Sequence, residues 1–159
     1  MSVVKWIQKK PRLAALIDQP GGVTVGKALD QASDLLGDLK AESLQVVEAA
    51  IVALENMTKA PPANPGPWLE EIYRLAAEVL KGVGPFDLDD MAQASFSLSE
   101  LADRFREGGK CELAPIQVHV QSLRLLLANG EQLPAVARKE ILNGLDRVLA
   151  LAPRVKGYE

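Results

Sequence analysis

From Val25 onward, apolar residues recur every three or four positions: Val25, Ala28, Leu29, Ala32, Leu35, Leu36 and Leu39. That spacing lines one side of a helix and predicts a buried face. Pro20, Gly21 and Gly22 stop whatever precedes it, and Thr24 is placed to cap it by accepting from a free backbone amide. The helix is expected to end near Lys40. A second stretch runs through Leu44, Val47, Ile51, Leu54 and Met57, with Glu48 and Glu55 off the stripe, and either folds back antiparallel on the first or continues it. A helical hairpin over 24–59 is expected. Between residues 60 and 67 stand Pro61, Pro62, Pro65, Gly66 and Pro67, which cannot stay helical and form the clearest linker.

Beyond the linker, a C-terminal helical region covers 68–152. Pro67 suits a first helical turn, and Leu69, Ile72, Tyr73, Ala76, Val79 and Leu80 predict one apolar side. Asp87 is placed to cap the next helix, with Asp89 and Asp90 at its positive end and an apolar set of Met91, Ala94, Ser95, Leu98, Leu101, Ala102 and Phe105. Gly108 and Gly109 close it. Pro115 opens a helix carrying Ile116, Val120, Leu123 and Leu127, which Gly130 ends. Pro134 starts the last, through Ala137, Ile141, Leu145, Val148 and Leu149, and Pro153 stops it. Nothing alternates with the two-residue period of a strand. The expected fold is all-α, an antiparallel helical bundle of about six helices forming a single domain over 19–159, its stripes buried.

Composition narrows the chemistry. The chain has 159 residues, 48% hydrophobic and 25% charged, with a net charge of -3, which suits a globular core and argues against a nucleic-acid binder. The longest apolar run, Ala49 to Leu54, is far below the roughly 20 residues of a membrane-spanning helix. One cysteine, Cys111, and one histidine, His119, leave no set for a structural zinc site and little for nucleophilic catalysis. Asp87, Asp89 and Asp90 lack the alternating ligands and late Glu of a calcium loop, so no metal or cofactor is expected. Cys111, in a loop, is expected to be exposed and incidental. Residues 1–18 hold Lys5, Lys9, Lys10 and Arg12 with apolar Val3, Val4, Ile7, Leu13, Ala14 and Leu16. They read as a basic arm or short docking helix rather than a transit peptide or membrane-surface helix, with no secretory signal. The expectation is a non-enzymatic protein of a bacterial-type cytoplasm.

The most informative stretch is Ala77-Glu78-Val79-Leu80-Lys81-Gly82, followed after a short turn by Phe86, Asp87, Leu88 and Met91. Over residues 70 to 102 it resembles the histidine phosphotransfer signature, in which Ala-His-x-Leu-Lys-Gly ends one bundle helix and a Phe-Gly-Leu turn begins the next. Glu78 stands where that family has its histidine nucleophile, Asp87 replaces its glycine, and the turn is one residue shorter. The resemblance therefore implies a pseudo-phosphotransfer module that keeps a receiver-binding surface at Arg74, Glu78, Lys81 and Gly82 without the transfer chemistry. In that reading Gly82 leaves room beside position 78 and Lys81 holds positive charge near an incoming phosphate. The plainer reading is a helix end, since Leu-Lys-Gly before Gly84-Pro85 terminates many amphipathic helices.

The stretches over 18–25, 88–98 and 118–126 resemble alphaproteobacterial CheE-type chemotaxis accessory proteins, which implies a place near chemotaxis signalling and supplies no catalytic residue. The partner so implied is a response-regulator receiver domain or a histidine kinase. Two alternatives stay open: His119 as a true phosphoacceptor, flanked by Gln121, Ser122 and Arg124, or a structural protein whose heptad-spaced helices pair with a second copy. His119 lies beside its helix's core stripe and lacks a clearing glycine, since Leu123 stands four residues on; a boundary histidine with a satisfied hydrogen bond is the simpler account.

Overall fold

A computed structural model describes residues 22–60, 62–108, 111–130 and 132–152. Among these residues five α-helices follow one another: α1 (Val25–Met57), α2 (Pro65–Val83), α3 (Asp89–Gly108), α4 (Leu113–Asn129) and α5 (Ala135–Leu151), with a 3-10 turn at Gly84–Phe86 between α2 and α3. No strand occurs among the described residues. The all-α reading holds and breaks fall near the four expected places, but 65–67 are not part of one: α2 starts at Pro65 and takes in Gly66 and Pro67, because a proline in a first helical turn has no intrahelical N–H bond to lose. The basic arm, and Gly109 and Pro153 as helix stops, lie outside the described residues.

Among the described residues there are five helices and not about six, because the expected hairpin over 24–59 is one helix of 33 residues. The physical reason lies around Lys40, where Leu39-Lys40-Ala41-Glu42 are all adequate to strong helix formers with neither proline nor a turn pair. Gly37, the nearest glycine, weakens a helix without ending it. Helix formation therefore propagates through.

The chain divides into two compact units, Met1–Asp38 and Leu39–Glu159, rather than at the proline-rich segment. In the first unit, the Thr24 hydroxyl accepts from the Lys27 amide at 3.4 Å, as a cap should, though at long range. Every described residue of this unit is exposed, so the stripe of Val25, Leu29, Leu35 and Leu36 is not buried, contrary to the periodicity argument. Amphipathicity shows which face is apolar; only tertiary packing decides whether anything covers it.

The second unit holds the core. Val47, Ala50, Ile51 and Leu54 of α1 share one buried cluster with residues of all four later helices. Asn64 caps α2, its side chain accepting from Gly66 N–H at 3.3 Å, and Pro65 opens the helix, where its missing N–H costs nothing. Leu69, Ile72, Leu75, Ala76, Val79 and Val83 are buried. Two members of the expected α2 stripe are not in the core: Tyr73 is exposed and Leu80 half-buried. α3 packs against α2, α4 and α5, and its entire expected apolar set is buried, joined by Ser97 and Ser99. Serines suit this crowded position because their small side chains let neighbouring helices approach. Ser99 returns its hydroxyl to the Ser95 carbonyl at 3.1 Å.

Between α1 and α4, Arg124 grips the Glu55 carboxylate with Nε at 2.9 Å and Nη2 at 2.8 Å, and reaches Glu48 at 3.2 Å. The bidentate pair joins two helices 69 residues apart in sequence and holds the Glu55 carboxyl below its usual range, first through the hydrogen bond and then through charge.

Candidate functional site

The motif region forms the α2–turn–α3 corner. Buried residues hold one side of α2 against the core, which leaves Glu70, Tyr73, Arg74 and Lys81 on the outer face with Glu71, Ala77 and Glu78 at its margins. Arg74 bridges Glu71 at 2.7 Å and Glu78 at 3.0 Å, three and four residues away on neighbouring turns. The guanidinium holds the Glu71 carboxyl below its ordinary range, chiefly by hydrogen bonding to it. Arg74 and Glu78 are thus brought together in one solvent-facing ion-pair ladder, with Lys81 exposed on the same side. The spacing places Tyr73 in the core, yet the residue is 44% exposed and adds an aromatic to this face.

Gly82 has a different role from the one its motif position suggests. A Cβ built there would lie 2.6 Å from Val47 Cγ2 and 3.3 Å from Ser43 Oγ, and the Ser43 hydroxyl donates to the Gly82 carbonyl at 2.8 Å. The glycine permits the close approach of α2 to α1 instead of opening a surface beside position 78. Nor is it a helix cap, because α2 continues through Val83 and is followed by Gly84 in right-handed geometry.

At the corner, Asp87 does not cap α3. It takes the left-handed conformation with φ 55°, the single positive-φ non-glycine residue among those described, and α3 begins at Asp89, with the Leu88 carbonyl accepting from Ala92. Asp tolerates this region better than most side chains, though glycine is its usual occupant. The position is the one where the phosphotransfer signature carries its glycine.

A cleft of about 700 Å³ opens beside the corner, lined by Phe86, Asp87, Met91, Lys40, Asn129 and Arg138 among others. Arg138 braces it, with Nε 2.9 Å from the Asp90 carboxylate and Nη1 donating to the Gly130 carbonyl at 2.9 Å. Asp90 is therefore committed to a structural pair, and among the described residues no group of three His, Cys, Asp or Glu side chains is placed to hold a metal ion. Nothing in the sequence flags Arg138, because its partner lies 48 positions away.

His119 is fully buried rather than at a boundary. Its Nδ1 lies 2.8 Å from the Pro115 carbonyl, which can only accept, so Nδ1 carries the proton. Nε2 is then left to accept from the Ser97 hydroxyl at 2.9 Å. Burial pushes the imidazole pKa below its usual value, opposed by the Pro115 bond and the charge of Asp146. The pair has the distance of a nucleophile and base, but Ser97 is itself buried and neither residue lines the cleft beside the corner. A receiver's active site has no access to this ring, and Arg124, five residues on in the same helix, is engaged by Glu55 and Glu48. Cys111 is half-buried, and desolvation raises its thiol pKa, which disfavours the reactive thiolate.

No family model, curated protein or solved structure matches this chain.

Proposed function

We propose that the protein is a non-catalytic signalling adaptor whose helical bundle docks a two-component or chemotaxis partner, a response-regulator receiver domain or a histidine kinase, on the outer face of α2. The observation that carries this reading is the corner geometry. The residue after Phe86 adopts a left-handed backbone, which glycine favours, at the position where the resembled signature carries glycine, and the helix before it displays Arg74, Glu78 and Lys81 to solvent. Glu78 occupies the acceptor position as a carboxylate paired with Arg74, so the face offers binding without an imidazole nucleophile. Tyr73 and Arg74 are the residue types that dominate binding energy at many interfaces, and both are exposed here. A lysine beside an acidic receiver pocket adds electrostatic steering.

The test is titration of a fluorescently labelled chemotaxis receiver domain, with histidine-kinase domains as a second probe. Tyr73→Ala and Lys81→Glu are expected to weaken binding roughly tenfold or more each, the lysine effect shrinking as salt rises. Because both side chains are exposed, neither variant should disturb the fold, and circular dichroism checks this. Unchanged affinity in both would remove the α2 face as the docking site. Incubation with an active kinase or phosphorylated receiver should leave no acid-labile, base-stable phosphate; a label lost in His119→Gln would favour phosphotransfer instead.

A further inference from the structure

The docking face on α2 contributes nothing to the cleft beside the α2–α3 corner, and the lining of that cleft changes in character with depth. Met91 and Leu126, 4% and 2% exposed, give it an apolar floor. Leu44, Phe86 and Leu127, all half-buried, form its walls. Toward the mouth stand charged and amide side chains: half-buried Lys40 and Asn129, with exposed Asp87, Asp89 and Gln132. We propose that this cleft binds a short peptide with apolar side chains and free termini, its ammonium held by Asp87 and Asp89, its carboxylate by Lys40 and its backbone by Asn129 and Gln132.

Charge selects a ligand that carries both signs. Arg138 and Asp90, which also line the cleft, pair with each other. Lys40, Asp87 and Asp89 have no ion-pair or side-chain hydrogen-bond partner among the described residues, so opposite charges share one cleft without meeting. A simple cation would suit the aspartates but be repelled by Lys40, and a simple anion would meet the reverse. A zwitterion spans the gap between them. An ammonium has three N–H donors, enough to serve both aspartates.

The amide side chains point to a peptide among zwitterions. A peptide bond brings one donor and one acceptor into the cleft, and each must be satisfied as it leaves water. Asn129 and Gln132 each offer both a carbonyl and an NH₂ group, which match that requirement. A ligand without amides would leave these groups unused.

Size and depth fix the rest. The volume of about 700 Å³ falls within the roughly 300–1,000 Å³ of sites that take drug-sized ligands. A di- or tripeptide has that size, whereas a single amino acid would leave most of the apolar floor wet. Leucine-like side chains on the peptide would reach Met91 and Leu126 and supply the favourable burial. The docking reading on α2 uses different residues, so either can fail without the other.

Isothermal titration calorimetry of the full chain with trileucine tests this. Trileucine is expected to bind, and N-acetyl-trileucine and trileucine amide should each bind about fivefold more weakly, the loss expected for one exposed charge pair. Lys40→Met keeps the aliphatic stem and should weaken trileucine by the same factor while leaving the amide, which has no carboxylate to lose, unchanged. Asp87→Asn, whose side chain also tolerates the left-handed backbone, should weaken trileucine but not the N-acetyl peptide. Losses that fall equally on all three peptides would overturn the assigned contacts, because a disturbed fold acts on every ligand alike. Trileucine without detectable binding at millimolar concentration would overturn the proposal, and so would equal affinity for the blocked peptides, which would make the cleft a site for neutral apolar ligands. Free leucine binding as tightly as trileucine would overturn the assignment to a peptide.

Discussion

Substituting Gly82 by alanine sets two opposed effects against each other, and their balance follows from the contact with Val47. Within a helix interior, alanine is favoured over glycine by about 1 kcal/mol, because the unfolded glycine has more conformational freedom to lose. Against this, the new Cβ would stand 2.6 Å from Val47 Cγ2, well inside van der Waals contact. Val47 is fully buried and β-branched, so it cannot turn aside to another rotamer at little cost. Overpacking of this kind costs about 1–3 kcal/mol, and Ser43 Oγ at 3.3 Å limits the shift available on its side. The net expectation for Gly82→Ala is a loss of up to about 2 kcal/mol, a drop in Tm of several degrees for a domain this size.

A double-mutant cycle isolates the clash. Val47→Ala alone should destabilise by about 1.5–3 kcal/mol through lost burial and the cavity left behind. In the double variant the alanine at 82 fills part of that cavity and keeps its helical advantage, so the two changes should couple favourably by at least about 1 kcal/mol. Urea unfolding followed by circular dichroism gives all four corners, provided each transition is two-state with a common slope. If Gly82→Ala were more stable than wild type by the full helix-propensity difference, with no coupling to Val47, the glycine would not be serving the α1–α2 approach, and its docking role would return to consideration.

Leu123→Asp should abolish cooperative folding or lower stability by more than about 4 kcal/mol, since Leu123 is fully buried and the new carboxylate would have no partner; near-wild-type melting would refute the placement of the core. His119, whose folded pKa lies below its unfolded value near 6.5, gives full stability above that value; as pH falls below it, the unfolded chain takes up the proton more readily and stability is lost down to the folded pKa. Stability measured from pH 7.5 to 5 should therefore decline in the wild type and decline less steeply in His119→Gln, and equal slopes would refute a buried neutral imidazole. Arg124→Met should cost about 0.5–1.5 kcal/mol, less at high salt, because the bidentate pair with Glu55 is partly solvent-exposed; a double-mutant cycle with Glu55→Gln reads the coupling directly.

Most positions of helices and breaks were legible in the sequence because they depend on local properties; the expected end near Lys40 was not, since no proline or turn pair marks it and α1 runs on to Met57. Proline and glycine punctuate the chain before Pro65 and again at Gly84 and Pro85 wherever they fall in the fold, and the three-and-four spacing of Met91, Ala94, Leu98, Leu101 and Phe105 requires only that α3 be a helix with one apolar side. The solvent-facing ladder of Arg74 and Glu78 was legible for the same reason, since residues four apart on a helix are neighbours in any structure.

Relations between elements had no local signature. Spacing could not tell the unburied stripe of Val25 to Leu39 from the buried one at Val47 to Leu54, because periodicity gives the direction of an apolar face and not the presence of a cover. Gly82 read as open space because its clash partner Val47 lies 35 positions earlier, and His119 read as marginal because Ser97, which satisfies its inward nitrogen, comes from another helix. Asp87 looked like a helix cap, a role its residue type favours, until the corner required a left-handed residue there. Local chain preferences determined where helices form; contacts distant in sequence decided which of their faces are covered.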